Sequence, residues 1–429
     1  MTKDFLKEKT FLYLLKSSSV KKTIRKIISQ FGAPEIKMHM ASSIEETLSI
    51  LENHHVEIFF SDLEFNGKNT LPLHDLFDAK NPNSLQKLNA IICDTNSPSL
   101  ACLAIDHNID IAITMPMTRE GVTSIITKII EYKVHPSEEL IRCQEIHQLI
   151  KRKKSHLADE ALIELEALHP QSDNIQFLAS VLARSKSEHN KELQKILSTL
   201  VQNEKHYLAL TRAIDIYMEM NEYRPCYDLV VTLIQNYKVS SEKLMTVLMV
   251  FISNQNYEEI INFCETFMDF EDPSSWIRTR ISAGLAISGK YLISEGKINR
   301  SKHALDKSYS LDSGNVFILE CLVESYLNIN KGDKAGKILA RIPIEEKSSR
   351  LKVLSLKTDR HFHSPSNLLK LTTDLINQPI IDFDLYEMAV TASIEMGRKT
   401  SGINKLLEEA HKYYPHIMEI PSVKKLKAS

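Results

Sequence analysis

VEIFFSD (residues 56–62) is an apolar run of strand length that ends in a carboxylate, and it sets the pattern for the first 135 residues. Similar short apolar runs occur on either side of it: FLYLL (11–15), EIKMHMA (35–41), LNAIICD (88–94) and IDIAITM (109–115). The segments between these runs carry apolar residues on one helical face, and serine residues precede the first two of them. Strands and helices are therefore predicted to alternate.

This alternation predicts a doubly wound α/β domain, in which helices cover both faces of a five-stranded parallel sheet. The stretch from Gly67 to Pro82 shows no clear pattern and is interpreted as irregular. In a parallel sheet the functional residues lie at the carboxyl ends of the strands. The sequence places seven residues there: Leu15, Lys16, Asp62, Cys93, Asp94, Met115 and Pro116.

The order and spacing of these elements resemble the receiver domain of two-component response regulators, over roughly residues 10–133. In that family, two acidic residues after the first strand hold Mg²⁺ and an Asp after the third strand accepts phosphate. A Thr or Ser follows the fourth strand, and a Lys-Pro pair follows the fifth. Carried over in that order, these positions hold Leu15 and Lys16, then Asp62, then Cys93, then Met115 and Pro116. Because only Asp62 and Pro116 match, the resemblance implies a degenerate receiver, or pseudo-receiver.

The missing carboxylates bear directly on phosphorylation. Phosphoryl transfer to Asp62 needs a hard cation beside it, because charge develops on the oxygens of the transferred group. A single carboxylate makes a poor Mg²⁺ site, so we expect no cofactor unless Asp62 is phosphorylated, which would require Mg²⁺. Two interpretations of Asp62 remain open. It is either a residual carboxylate that pairs with Lys16 or caps a loop, or a candidate phosphoacceptor.

A domain boundary is predicted at residues 135–137, where a proline follows the last helix and the alternation stops. The sequence after it repeats: Tyr223 aligns with Tyr257, and Ile298 with Gly332, each at a distance of thirty-four residues. The chain is therefore divided into a receiver-like domain, residues 1–135, and a helical-repeat domain, residues 136–429.

The thirty-four-residue period resembles the tetratricopeptide repeat (TPR), a helix-turn-helix unit with small residues where its helices cross. Matching positions include Gly289, Gly296, Ser301, Tyr326 and Ala335. We predict seven to nine helix pairs: 141–170, 173–204, 207–238, 241–271, 277–312, 315–345 and two looser units ending near 415. Each unit leaves an apolar face that only its neighbours can cover, so a solenoid with a peptide-binding groove is expected.

Composition excludes several other classes of function. A formal net charge of −2 gives no overall field for nucleic acid, and the basic run 151–154 is interpreted as a solvated turn. The absence of an apolar stretch near ~20 residues predicts no membrane span and a cytoplasmic protein. His361 and His363 lack further ligands at helical spacing, so no metal site is predicted. No catalytic motif occurs, so no enzyme is predicted.

The whole chain resembles receiver–TPR adaptor proteins of bacterial two-component systems, of the VieB type. That resemblance implies a non-catalytic signalling adaptor that binds protein partners: a histidine kinase, a receiver, or a peptide in the TPR groove. The implied pathway is two-component or cyclic-di-GMP signalling. The alternative is a true response regulator, in which phosphorylation of Asp62 switches partner binding. A homodimer through the last two receiver-like helices, residues 97–108 and 118–133, is permitted by their apolar positions.

Overall fold

The computed structural model describes residues 2–33, 35–94, 97–270, 273–378, 380–397, 400–421 and 423–424, and only the main chain of residues 2–4, 35, 270, 400 and 401. The described chain falls into two compact units. The first comprises Met1–Gln255 with Phe267–Asp272, and the second Asn256–Thr266 with Pro273–Ser429. The first unit therefore contains the sheet together with the helices that follow it up to Gln255. A domain boundary at residue 135 stays a prediction.

The first unit begins with the expected parallel sheet. Its strands are β1 Phe11–Leu14, β2 Met38–Met40, β3 Ile58–Asp62, β4 Leu88–Cys93 and β5 Ile111–Thr114, in the order β2-β1-β3-β4-β5. All neighbouring strands run parallel. The helices around the sheet are α1 Thr2–Lys7, α2 Ser18–Gln30, α3 Ile44–Asn53, α4 Leu71–Lys80, α5 Leu100–Asp106 and α6 Arg119–Val134. This confirms the predicted doubly wound α/β fold.

Successive residues of the strands point to opposite faces of the sheet, and both faces are covered. On one face, Tyr13 and Phe60 pack against α2 and α6 through residues such as Ile24 and Ile126. On the other face, Phe59 packs against Phe77 of α4. The apolar runs lack strict alternation for this reason: each strand is buried on both sides.

The stretch from Gly67 to Pro82 is more regular than expected, because it contains helix α4. A short hairpin precedes this helix, with Glu64–Phe65 paired to Lys68–Asn69. Asn66 and Gly67 form its turn with φ of 50° and 76°, the left-handed geometry that an Asn-Gly pair favours. The prediction of irregular structure was wrong for α4, since His74 lies in the apolar face of the helix and obscures its period.

Helices account for nearly all of the remaining described chain. They are α7 Glu138–Lys151, α8 Ser155–Leu168, α9 Asp173–Ser185, α10 His189–Gln202, α11 Tyr207–Glu219, α12 Tyr223–Asn236, α13 Ser241–Ser253, α14 Tyr257–Phe270, α15 Ser275–Ser294, α16 Ile298–Leu311, α17 Val316–Asn328, α18 Gly332–Leu339, α19 Ser349–Asp359, α20 Pro365–Ile376, α21 Phe383–Glu395 and α22 Thr400–His411. Short 3₁₀ turns occur at Glu35–Lys37, Ile344–Glu346, Arg360–Phe362 and Pro415–Glu419. The helices follow the predicted pairs, and the described helical region is a TPR-like solenoid.

The period of thirty-four residues comes from a recurring turn. In the first six pairs, three residues separate the two helices, and the middle one of the three adopts a left-handed conformation. These residues are Lys153, Ser187, Asn221, Gln255, Gly296 and Asn330, with φ between 57° and 74°. Only one of the six is glycine, so the turn carries little sequence signal beyond its spacing.

The crossing of α15 and α16 depends on small residues, as the resemblance implied. The Ser301 hydroxyl donates a hydrogen bond of 2.7 Å to the carbonyl oxygen of Gly289. A Cβ atom on Gly289 would lie 2.7 Å from the side chain of Leu305. The two helices therefore approach too closely at this point for a larger residue.

The recurring turn makes a prediction about strain. Lys153 is exposed and has a φ of 58°, and a non-glycine residue in this region costs ~1 kcal/mol. We expect Lys153→Gly to raise the free energy of unfolding by up to ~1 kcal/mol, measured by urea denaturation of the full chain. Arg152→Gly is the matched control, because Arg152 has an ordinary φ of −83° and should lose stability. Equal losses in both variants would contradict the strain argument.

The helix crossing makes a second prediction. We expect Gly289→Ala to lower the free energy of unfolding by about 1–3 kcal/mol, because Leu305 must move to admit the methyl group. Gly402→Ala in α22 is the control, since no atom lies within 4 Å of the added Cβ. That substitution should be neutral or stabilising. Thermal unfolding in which Gly289→Ala is as stable as the wild type would refute the close crossing.

Candidate functional site

Asp62 is the last residue of β3, at the carboxyl edge of the sheet, and Lys16 follows β1 beside it. The main-chain N–H of Lys16 donates a hydrogen bond of 2.5 Å to Oδ2 of Asp62. The expected pairing of Asp62 with Lys16 thus occurs through the main chain. This contact holds the carboxylate in the crevice at which the strand order reverses, where ligands of such sheets bind.

The surroundings of Asp62 make its carboxyl group less acidic than usual. Partial burial raises the pKa of the Asp62 carboxyl, and Asp94 raises it further, while the hydrogen bond and charge of Lys16 oppose the rise. Asp94 directly follows β4, and the sequence interpretation gave it no role. Its position at a strand end was the signal that it could face Asp62.

The other predicted site positions separate into two groups. Cys93 is buried beside Asp62, and burial with the charges of Asp94 and Asp62 raises the pKa of its thiol to about 12, so the thiol stays protonated at neutral pH. Leu15 is buried in the apolar core between the sheet, α2 and α6, and Met115 packs against the same core. Pro116 is exposed and follows Met115 through a cis peptide bond.

The described residues at this edge supply few ligands for a metal ion. Among the residues that the structure describes, no cluster of three or more His, Cys, Asp or Glu side chains could hold a metal ion. Mg²⁺ binds through several oxygen ligands, and the carboxylate whose charge acts on Asp62 here is that of Asp94.

A chain of buried polar side chains lies beneath Asp62, and sequence reasoning missed it. The Ser61 hydroxyl lies 2.8 Å from Nε2 of His74, and Nδ1 of His74 lies 2.5 Å from Oδ1 of Asn89. Thr70 donates from its hydroxyl to the main-chain oxygen of Asp62, at 2.7 Å. Because the amide oxygen of Asn89 can only accept, Nδ1 of His74 carries the proton and Nε2 accepts from Ser61.

The histidine in this chain is neutral. Burial lowers the pKa of His74 to about 4, although the hydrogen bond to Asn89 opposes the shift. The side chains of Ser61, Thr70, His74 and Asn89 are all completely buried. Two polar residues in apolar segments were the sequence signal: Asn89 in β4 and His74 in α4. Such residues need hydrogen-bonding partners when they are buried.

The first unit also holds a contact between the sheet domain and the helical repeats, which we call the docking contact. It comprises Asp75, Asp106 and His107 from the sheet domain and Tyr207 and Glu242 from the repeats. The Tyr207 hydroxyl donates to Oδ2 of Asp106 at 2.9 Å. Nδ1 of His107 lies 2.9 Å from Asp75, and Nε2 lies 3.0 Å from Glu242. One imidazole therefore bridges a carboxylate on each side.

The docking contact requires a charged histidine. The hydrogen bond to Glu242, with that to Asp75, raises the pKa of His107 to about 9, although partial burial opposes the rise. Both ring nitrogens then donate to carboxylates at neutral pH. Burial raises the pKa of Asp106, and Lys243 partly offsets this shift. The contact occupies the C-terminal end of α5, part of the surface whose apolar positions would permit a homodimer.

Further hydrogen bonds join the sheet domain to α7. Gln144 donates from its amide to the main-chain oxygen of Pro82 at 2.6 Å and accepts from the Ser84 hydroxyl at 2.5 Å. Lys151 lies 3.4 Å from Asp78. Lys151 is the last residue of α7 and the first of the basic run 151–154, whose other three residues form the turn to α8. The sheet domain is thus bonded to the repeats at separate places within the first unit.

The described helices include none that is long and apolar enough to cross a membrane. No protein-family model matches the sequence. No curated protein matches it either.

Solved structures of helical-repeat proteins are similar to this chain at low identity. A tetratricopeptide repeat protein from Parabacteroides merdae is 16% identical, over 63% of this chain and 97% of that chain, with a TM-score of 0.30. YrrB, a TPR protein with an unusual peptide-binding site, is 12% identical over 47% and 93%, with a TM-score of 0.31. The apo quorum sensor NprR from B. thuringiensis is 12% identical over 70% and 93%, with a TM-score of 0.30. Because these TM-scores are low, the description of the helical region rests on its own helix pairs and not on these structures.

The docking contact makes a prediction about pH. The pKa of His107 is raised from its ordinary 6.5 to about 9 on folding. Its stabilising effect is therefore complete below pH 6.5 and lost as the pH rises through about 9. We expect His107→Gln to reduce hydrogen-exchange protection of α5, which His107 directly follows, and of α13, which contains Glu242, about fivefold at pH 6.5, corresponding to ~1 kcal/mol for a partly exposed ion pair.

The same exchange experiment at pH 9.5 should give equal protection in the wild type and in His107→Gln. His156→Gln is the control, because the imidazole of His156 is 85% exposed and its ion-pair partner in the described chain, Glu160, is on its own helix. A His107 resonance that titrates at its ordinary pKa in the folded full chain would refute the bridging role.

Proposed function

We propose that this protein is a non-catalytic signalling adaptor, in which a pseudo-receiver domain and a TPR-like solenoid each bind a protein partner. The partners of the pseudo-receiver would be a histidine kinase or another receiver, in a two-component or cyclic-di-GMP pathway of the bacterial cytoplasm. The solenoid would hold a second protein or a peptide.

The observation that carries this proposal is the composition of the edge around Asp62. A phosphorylating receiver needs a cation beside the acceptor carboxylate. Here the positions of the acidic pair hold Leu15, which is buried in the core, and Lys16, whose N–H already occupies one carboxylate oxygen. The cationic side chain expected to contact phosphate is replaced by Met115, which packs against the same core.

The docking contact supports an adaptor in a second way. Hydrogen bonds that involve Tyr207, Glu242 and Gln144 hold the sheet domain against the repeats of the first unit. An adaptor benefits from such a fixed arrangement, because two partners bound to rigid surfaces meet in a defined geometry at a raised effective concentration.

The alternative is a response regulator phosphorylated on Asp62, and one observation favours it. Asp62 remains at the carboxyl end of β3, half-buried and beside a second carboxylate, Asp94. In this case acetyl phosphate would transfer its phosphoryl group to a carboxylate oxygen of Asp62 and release acetate. The phosphate would then have to stabilise one of two conformations for any output to follow.

The test is the intact mass of the full-length protein after incubation with Mg²⁺ and acetyl phosphate, with Asp62→Ala treated in parallel. We expect no phosphate adduct in either protein, because the described edge lacks the carboxylates for a cation site. An adduct on the wild type that is absent from Asp62→Ala would overturn the adaptor proposal in favour of the alternative.

A gain-of-function variant sharpens the result. Leu15→Asp with Lys16→Asp would restore the acidic pair that the receiver resemblance calls for. Because Leu15 is buried, circular dichroism and thermal unfolding must first show that this variant folds. Phosphorylation of the folded double variant, but not of the wild type, would locate the lost activity in these two positions.

A further inference from the structure

The second unit contains a cavity of about 520 Å³ between α19, the turn Arg360–Phe362, α20 and α21, closed on one side by the residues that end the turn Pro415–Glu419. This volume lies within the range of sites that bind small molecules or short peptide segments. Apolar side chains of Leu368, Met388 and Ile420 contribute to its lining.

One wall of the cavity is a stripe along α21. Asp384, Glu387, Thr391 and Glu395 recur at intervals of three or four residues and so share one helical face. Glu387 and Glu395 are eight positions apart, which corresponds to about 12 Å along the helix. Thr391 lies between them on this face, and the side chain of Met388 contributes apolar lining beside Glu387.

The charges of this cavity are not balanced. Asp384 is neutralised, since its carboxylate lies 2.6 Å from Lys357 and 2.9 Å from Arg350. Glu387 and Glu395 form no ion pair with any residue that the structure describes, and the same holds for Arg360 on the opposite wall. Counted over the lining residues that the structure describes, with the histidines taken as neutral, Lys357 and Arg360 against Asp384, Glu387 and Glu395 leave a formal charge of −1.

We propose that this cavity binds a peptide segment of a partner protein that carries two basic side chains on either side of an apolar one. The basic side chains would pair with Glu387 and Glu395, and the apolar side chain would contact Met388 and Leu368. This deepens the proposed function, on which it rests, by naming the chemistry of the solenoid's partner. Charge complementarity of this kind sets specificity and association rate more than affinity.

An aromatic side chain at the edge of the cavity supports the same partner. Phe362 is 87% exposed, and it lies between His361 and His363, which both line the cavity. An exposed ring beside a cavity with surplus negative charge is suited to contact a lysine or arginine side chain through its face. An acidic peptide would instead meet a cavity whose lining carries a formal charge of −1, so it should bind more weakly than a basic one.

The test uses fluorescein-labelled synthetic decapeptides of alternating lysine and leucine, and matched decapeptides with glutamate for lysine, in a fluorescence anisotropy titration of the full-length protein. We expect the basic peptide to bind and the acidic peptide to bind more weakly. The double variant Glu387→Lys with Glu395→Lys should weaken binding of the basic peptide at least tenfold and strengthen binding of the acidic one.

The matched control is Glu345→Lys with Glu346→Lys, in the exposed turn Ile344–Glu346 outside the cavity. It changes the net charge of the protein by the same amount, so non-specific attraction would fall equally in both double variants. Equal weakening in the two, or equal binding of both peptides by the wild type, would overturn the inference. The mass measurement on Asp62 is independent of this result, so a failed cavity and a failed adaptor proposal are distinguished.

Discussion

The five strands of the parallel sheet and the amphipathic helices of the described chain carry apolar faces that other elements must cover. In the sheet, Phe59 and Phe60 point to opposite sides, and each needs a layer of helices. In the repeats, each pair of helices exposes a face until the next pair covers it. This constraint accounts for the two architectures within one chain, since both are ways of covering an apolar surface with successive elements.

The same constraint explains how much of the fold could be predicted. Buried strands and one-sided helices leave strong patterns, so the five strands and the succession of helix pairs followed from the sequence. Helix α4 was missed because its buried face contains His74, whose polarity is offset by partners in other elements. The turns of the repeats could be predicted only from the spacing between helices. The residue in the left-handed conformation differs from turn to turn and is a lysine in the first of them, Lys153.

Less of the candidate site could be predicted. The placement of Asp62 at the carboxyl edge followed from the strand pattern, and so did its closeness to Lys16. Lys16 contacts Asp62 through its main-chain N–H. The sequence could not show this, because a lysine carries both a main-chain donor and a side-chain donor. The docking contact could not be predicted either, since His107 and Glu242 are 135 positions apart and no local pattern links them.

The buried chain beneath Asp62 gives the protein a limited tolerance of acid. His74 must stay neutral to accept from Ser61, and its pKa falls from 6.5 to about 4 on folding. Between pH 6.5 and about pH 4, His74 is protonated in the unfolded chain but not in the folded chain. Each further fall of one pH unit in this range therefore lowers the free energy of unfolding by roughly 1 kcal/mol. Purification or crystallisation in mildly acidic buffer would therefore weaken the sheet domain from its buried interior.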